Sequence, residues 1–106
     1  MLQIKSMNGE EICQGFATEN QAQIQVTSAL PITLPEKTYV TYNWTCTHAN
    51  GTKIWDTGLP TRRIPVPWSG AYTIQVQAQY IRQNERRPYA VFWSNKVIVN
   101  GKTCTP

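Results

Sequence analysis

Few side chains in this chain could make or break a bond. Its one histidine, His48, stands beside the turn Ala49-Asn50-Gly51, with no cysteine pair close enough in sequence to complete a metal site. A solvent-exposed turn histidine is expected there. Glu10 and Glu11 adjoin near the start and Asp56 stands alone, so no spaced carboxylate pair suggests general acid–base work. No serine, histidine and aspartate can be grouped without arbitrary choice. Cys13, Cys46 and Cys104 are odd in number and contain no CxxC spacing, which excludes a zinc ribbon or a redox motif. Reduced, buried or half-buried thiols are expected, with a Cys13–Cys104 staple between the chain ends as the other arrangement. The fragment Val99-Asn100-Gly101-Lys102-Thr103 is similar to the end of a phosphate-binding loop, but it lacks the upstream glycine and the following helix. Asn43-Trp44-Thr45 and Asn50-Gly51-Thr52 match the N-glycosylation triplet and are read as chance matches in a Thr- and Asn-rich chain. Neither an enzyme nor a cofactor is expected.

Binding chemistry is better represented, and its geometry depends on the elements that carry it. The 106 residues suit one domain, with a core over about 20–100, an N-terminal strand near 10–17 and short tails. Hydrophobic residues make up 41% and charged residues only 15%, which excludes a coiled coil and a disordered acidic tail. No apolar run is long enough to span a bilayer. The start lacks the pattern of a secretory leader, so a soluble protein without a signal is expected if Met1 is the natural start.

Period-two alternation dominates. Tyr72, Ile74, Val76, Ala78 and Tyr80 alternate with Thr73, Gln75, Gln77 and Gln79; Val40, Tyr42, Trp44 and Cys46 alternate with Thr41, Asn43, Thr45 and Thr47. That pattern marks half-buried antiparallel strands. About seven are predicted, near 10–17, 21–28, 39–47, 52–56, 63–66, 71–81 and 89–99, with prolines and glycines mostly between them. An all-β antiparallel sandwich follows.

Two aromatic anchors then look familiar. Trp44 lies mid-strand, and Trp68-Ser69-Gly70-Ala71-Tyr72-Thr73-Ile74 resembles the turn where immunoglobulin-like sandwiches carry a tyrosine corner. The chain resembles that class, with Tyr42-Asn43-Trp44 and Gly70-Ala71-Tyr72 closest to its PKD-like branch. Ile74 stands where antibody domains have their second core cysteine, and the acidic, glycine-rich sequence of the PKD branch after the Trp is missing. The resemblance implies Trp44 and Tyr72 as core anchors and says little of function.

In such a sandwich the connections at 29–37, 57–61 and 82–88, with the residues that flank them, meet at one end. They carry Lys37, Arg62, Arg63, Arg82, Arg86 and Arg87 against Glu36 and Glu85, which makes an arginine-rich end for carboxylates or phosphates. A second candidate is an uncharged sheet face of Thr41, Asn43, Thr45, Gln75, Gln77 and Gln79. Phe92, Ser94, Lys96 and Ile98 are expected to extend that face, if Trp93, Val97 and Val99 point inward. Trp55 and Trp68 are candidate exposed anchors or caps on the core.

A non-enzymatic structural protein is expected, docking on capsid or other assembly subunits. Its size and design are similar to Ig-like decoration, head-fibre or cement proteins of tailed-phage virions. Self-association and surface glycans stay open as partners; nucleic acid and membrane are not expected. The alternative is a carbohydrate- or cell-surface-binding module of a larger secreted protein, with Trp68, Trp55 or Phe92 forming a flat exposed platform.

Overall fold

The computed structural model describes residues 2–27 and 37–104, leaving out the side chain of residue 55. The expected connection at 29–37, save Lys37, and Glu36 within it therefore lie outside the described residues. So does the side chain of Trp55. Nine strands form among the described residues: β1 (Ile4–Ser6), β2 (Glu11–Cys13), β3 (Gln21–Val26), β4 (Thr38–His48), β5 (Lys53–Gly58), β6 (Thr61–Pro65), β7 (Gly70–Arg82), β8 (Ala90–Trp93) and β9 (Val97–Lys102). They build an all-β sandwich of two sheets. One has the order β1-β3-β6; the other has the order β2-β9-β7-β4-β5, with β8 on β7. All pairings are antiparallel except β2 with β9, where Glu11 to Cys13 run parallel to Asn100 to Lys102.

Nine strands form where seven are expected: the last of the seven breaks in two, and a strand outside the expected set, β1, precedes the first. β1 pairs with β3 in the small sheet, and β2 crosses to β9 in the large one. Leu2 and Ile4 are buried in the core, so the start of the chain is part of the sandwich rather than a tail. Asn95 holds it there, accepting from the Ile4 N–H at 2.8 Å and donating to the Ile4 carbonyl at 3.2 Å.

The last strand divides at Ser94–Lys96. The buried Ser94 hydroxyl takes the Val76 N–H at 3.0 Å and donates to the Asn95 carbonyl at 2.7 Å, which substitutes for strand pairing there. Alternation is reset across this break. Phe92 pairs with Ala78 and packs against the core, while Trp93 turns outward. The expected orientation of both is therefore reversed. Ser94 is buried rather than facing out, whereas Ile98 is exposed and Val99 buried as expected.

The core follows the alternation. Ala22, Ile24, Ile64 and Val66 from one side meet Trp44, Ile74, Val76 and Val99 from the other. Trp44 is buried and its indole N–H donates to the Leu59 carbonyl at 3.0 Å, so its one polar atom is satisfied. The Tyr72 hydroxyl accepts from the Trp68 N–H and donates to the Trp68 carbonyl, both at 2.8 Å, which forms a tyrosine corner. Both anchors sit where the sequence puts them. Gly101 lets β9 pass under that turn: a Cβ there would collide with the Trp68 carbonyl oxygen and Val66 Cγ1.

Cys13 and Cys104 are joined by a disulfide, with Cα atoms 5.5 Å apart and a sequence separation of 91. The expectation of three reduced thiols holds only for Cys46, which is free and buried. The parallel pairing of Cys13 with Lys102 brings Cys104 within reach, and nothing in the sequence spacing announces that. Burial pushes the Cys46 thiol from its ordinary 9.0 up to about 11.

β4 and β7 run 11 and 13 residues, whereas β3 and β6 run only 6 and 5. Gly58, at the end of β5, pairs with Tyr42, so the large sheet continues past the small one as a ribbon of β4, β7 and β8. The molecule measures 52 × 23 × 20 Å with a radius of gyration of 15.2 Å. A compact domain of this length has about 13 Å. A satellite cluster stiffens the ribbon: buried Tyr80 packs on Phe92 and Tyr89, ring centroids 5.3 and 6.3 Å away.

Candidate functional site

The ribbon ends in positive charge. Lys37 precedes β4, Arg82 closes β7 and Arg86 and Arg87 lie in the turn toward β8. The Gln83 N–H donates to the Lys37 carbonyl at 2.7 Å, which ties the two chain passages together at the tip. Asn84 adopts φ 77°, the left-handed conformation that an asparagine tolerates in a tight turn. Arg82 lies over the Tyr89 ring, its guanidinium carbon 4.7 Å from the centroid, and makes a long ion pair of 3.9 Å with Glu85. Four cations face one carboxylate, a net of +3 among the described residues of the tip. Arg86 and Arg87 are exposed and belong to no ion pair of the described residues.

The other two arginines are elsewhere. Arg62 and Arg63 lie within β6, opposite Ile24 and Gln23, not in a connection at the end. Arg62 pairs with Asp56, which sits opposite Trp44, whereas Arg82 sits opposite Thr38. Six residues of strand separate these levels, roughly 20 Å at about 3.3 Å per residue. The six expected cations are therefore two groups. The cause is local: β6 begins at Thr61, opposite Gln25 of β3, so Arg62 and Arg63 belong to that ladder, and Arg62 pairs with Asp56 of β5.

The uncharged face is assembled as expected. Thr41 pairs with Gln79, Asn43 with Gln77 and Thr45 with Gln75. Its amides are held in place from one side. Asn43 Oδ1 accepts from Thr57 at 2.9 Å, Gln75 Nε2 donates to the Ser94 carbonyl at 2.8 Å, and Gln79 Nε2 donates to Gln77 Oε1 at 2.7 Å. Trp93 stands opposite Gln77, 51% exposed, and Val91 opposite Gln79 is also exposed. The sequence reading missed Trp93 because the strand break hides its phase. The aromatic platform is thus not the expected one: Phe92 packs inward, and Trp68 is at the far end beside His48.

His48 is buried, not solvent-exposed. Its Nε2 lies 2.8 Å from the Ser69 carbonyl and its Nδ1 accepts from the Asn50 N–H at 3.1 Å, which fixes the neutral tautomer with the proton on Nε2. Its ring packs 4.5 Å from Tyr72. Gly70, at φ 108°, leaves the room it occupies. Both nitrogens are engaged in holding turns.

No group of three His, Cys, Asp or Glu that could hold a metal occurs among the described residues. No helix of the described residues is long and apolar enough to cross a membrane. Fold and surfaces define a disulfide-stapled all-β sandwich with a cationic tip and a neutral face. The chain matches no family model, no curated protein and no solved structure.

Proposed function

We propose that the protein is a non-enzymatic docking protein, an accessory of a large assembly such as a virion shell, held by the tip of its ribbon. The observation that carries this reading is charge segregation. Among the described residues the four cations of the tip are offset there by Glu85 alone, and they stand at the end of a stiffened arm beyond the small sheet. Guanidinium groups in that position meet carboxylates of a neighbouring subunit bidentately, without rearrangement of the sandwich behind them. The disulfide supports a working place that is oxidising, such as an extracellular or particle surface.

Particles from the native source, banded on a density gradient, test this. The chain is expected to band with them and to be released as salt is raised, because exposed pairs weaken once the Debye length falls below about 8 Å. Arg86→Ala with Arg87→Ala is expected to reduce banding and its salt dependence together. Recovery of the unaltered chain only at the top of the gradient overturns the reading.

A second reading, a carbohydrate-binding module, is favoured by one observation: an exposed tryptophan, Trp93, standing among oriented amides.

A further inference from the structure

A shallow groove crosses the large sheet between β5 and the β8–β9 break. Thr45, Thr47, Thr73 and Gln75 form its floor, and Lys53, Trp93 and Lys96 line its sides. The register explains the assembly. Lys53 pairs with Thr47 and Thr47 with Thr73, so these three share one outward row. The break at Ser94–Lys96 turns Trp93 outward and leaves Lys96 exposed beside it.

We propose that this groove binds a saccharide that carries a carboxylate, a uronic or sialic acid unit. Three features of the groove point to that chemistry. First, Trp93 leaves half of its surface in water although Phe92, its neighbour, is packed away; an open indole face stacks on the C–H face of a pyranose ring. Second, the floor is made of hydroxyls and an amide, not apolar side chains, and it is oriented beforehand. Gln75 is fixed through its Nε2 to the Ser94 carbonyl, which leaves Oε1 to accept from a sugar hydroxyl, and Thr45 Oγ1 is anchored to the Gln75 carbonyl at 3.2 Å. An amide already held loses little freedom on binding. Third, the two charges of the lining are both positive, and no carboxylate is among the described residues that line the groove. Lys53 and Lys96 belong to none of the ion pairs among the described residues, which join Arg62, Arg82 and Lys102 to acids elsewhere. A neutral sugar would use the tryptophan and the hydroxyls but leave both ammonium groups unmatched. An acidic peptide would use the ammonium groups but leave the indole without a ring to stack on. The acidic saccharide uses all three.

This site is separate from the ribbon tip and goes beyond the docking reading. Nitrogen-15 NMR titrations of the full chain with methyl glucuronide, methyl glucoside and triglutamate test it. Methyl glucuronide is expected to bind in the millimolar range usual for one sugar unit, shifting the Thr45, Thr73 and Gln75 amides and the Trp93 indole. It is expected to bind about threefold tighter than methyl glucoside, the scale of an exposed charge pair. Lys53→Gln with Lys96→Gln is expected to equalise the two sugars. Trp93→Ala is expected to weaken both by about tenfold, near 1.4 kcal/mol of lost stacking. Arg86→Ala with Arg87→Ala is expected to change neither, so failure of the tip and failure of the groove are told apart. All five substituted positions are exposed, and an unchanged melting temperature verifies that each of the three variants folds. Equal binding of the two sugars by the parent chain, triglutamate binding that matches the glucuronide and survives Trp93→Ala, or no shift at tens of millimolar sugar each overturns the proposal.

Discussion

Replacing Cys13 and Cys104 together by serine opens a loop that the disulfide closes across 91 positions. The chain-entropy relation gives about 15 cal/mol/K for a loop of this length, or about 4.6 kcal/mol at 25 °C. Native packing changes little, because other contacts hold both ends: Asn95 grips Ile4, and the Asn100 N–H donates to the Glu10 carbonyl at 2.7 Å. The loss therefore falls on the unfolded state, and about 3–4.5 kcal/mol is expected once residual structure there is allowed for. For a domain of this size that lowers the melting temperature by roughly 15–20 °C. Urea unfolding of the oxidised parent and of the double-serine variant, followed by tryptophan fluorescence, measures it. A difference under about 1 kcal/mol would refute the reasoning, since the cross-link would then not constrain the ends of the chain.

Gly101→Ala pushes a methyl against the Trp68 carbonyl oxygen and Val66, both backed by the tyrosine corner, and is expected to cost about 3 kcal/mol in thermal unfolding. Alkali should act through Cys46. Its pKa is raised to about 11 in the folded state, so the folded chain holds its proton more tightly than the unfolded one. That contribution is complete below about pH 9 and lost as pH rises toward 11, on the order of 2 kcal/mol. Burial raises the Tyr72 hydroxyl in the same direction. Stability measured from pH 8 to 11 should fall less steeply in Cys46→Ala than in the parent.

The two central strands were legible because they separate two environments. Alternate residues from Val40 to Cys46 of β4 and from Tyr72 to Ala78 of β7 pack in or against the core, and Thr, Asn and Gln fill the positions between, so the neutral face could be named residue by residue. β1 escaped notice because three residues make no periodic run; the signal was the brief alternation Leu2-Gln3-Ile4-Lys5. The phase of Trp93 was hidden by Ser94, which replaces a strand partner with its own hydroxyl and so shifts every side chain before it. Arg62 and Arg63 fall between an expected turn at 57–61 and a strand expected near 63–66, and their charge assigns them to the loop end. The ladder to β3, with Arg62 opposite Ile24 and Arg63 opposite Gln23, is a long-range pairing that local sequence does not encode. Burial of His48 depends on the space left by Gly70, a pairing across the sandwich end that spacing does not encode.

Hydrogen exchange of the chain free and bound to its particle tests the ribbon tip as the contact most directly. The account predicts slowed exchange at residues 82–89, with the small sheet β1-β3-β6 unchanged. Protection confined to the small sheet, with the arginine turn exchanging as in the free chain, contradicts it.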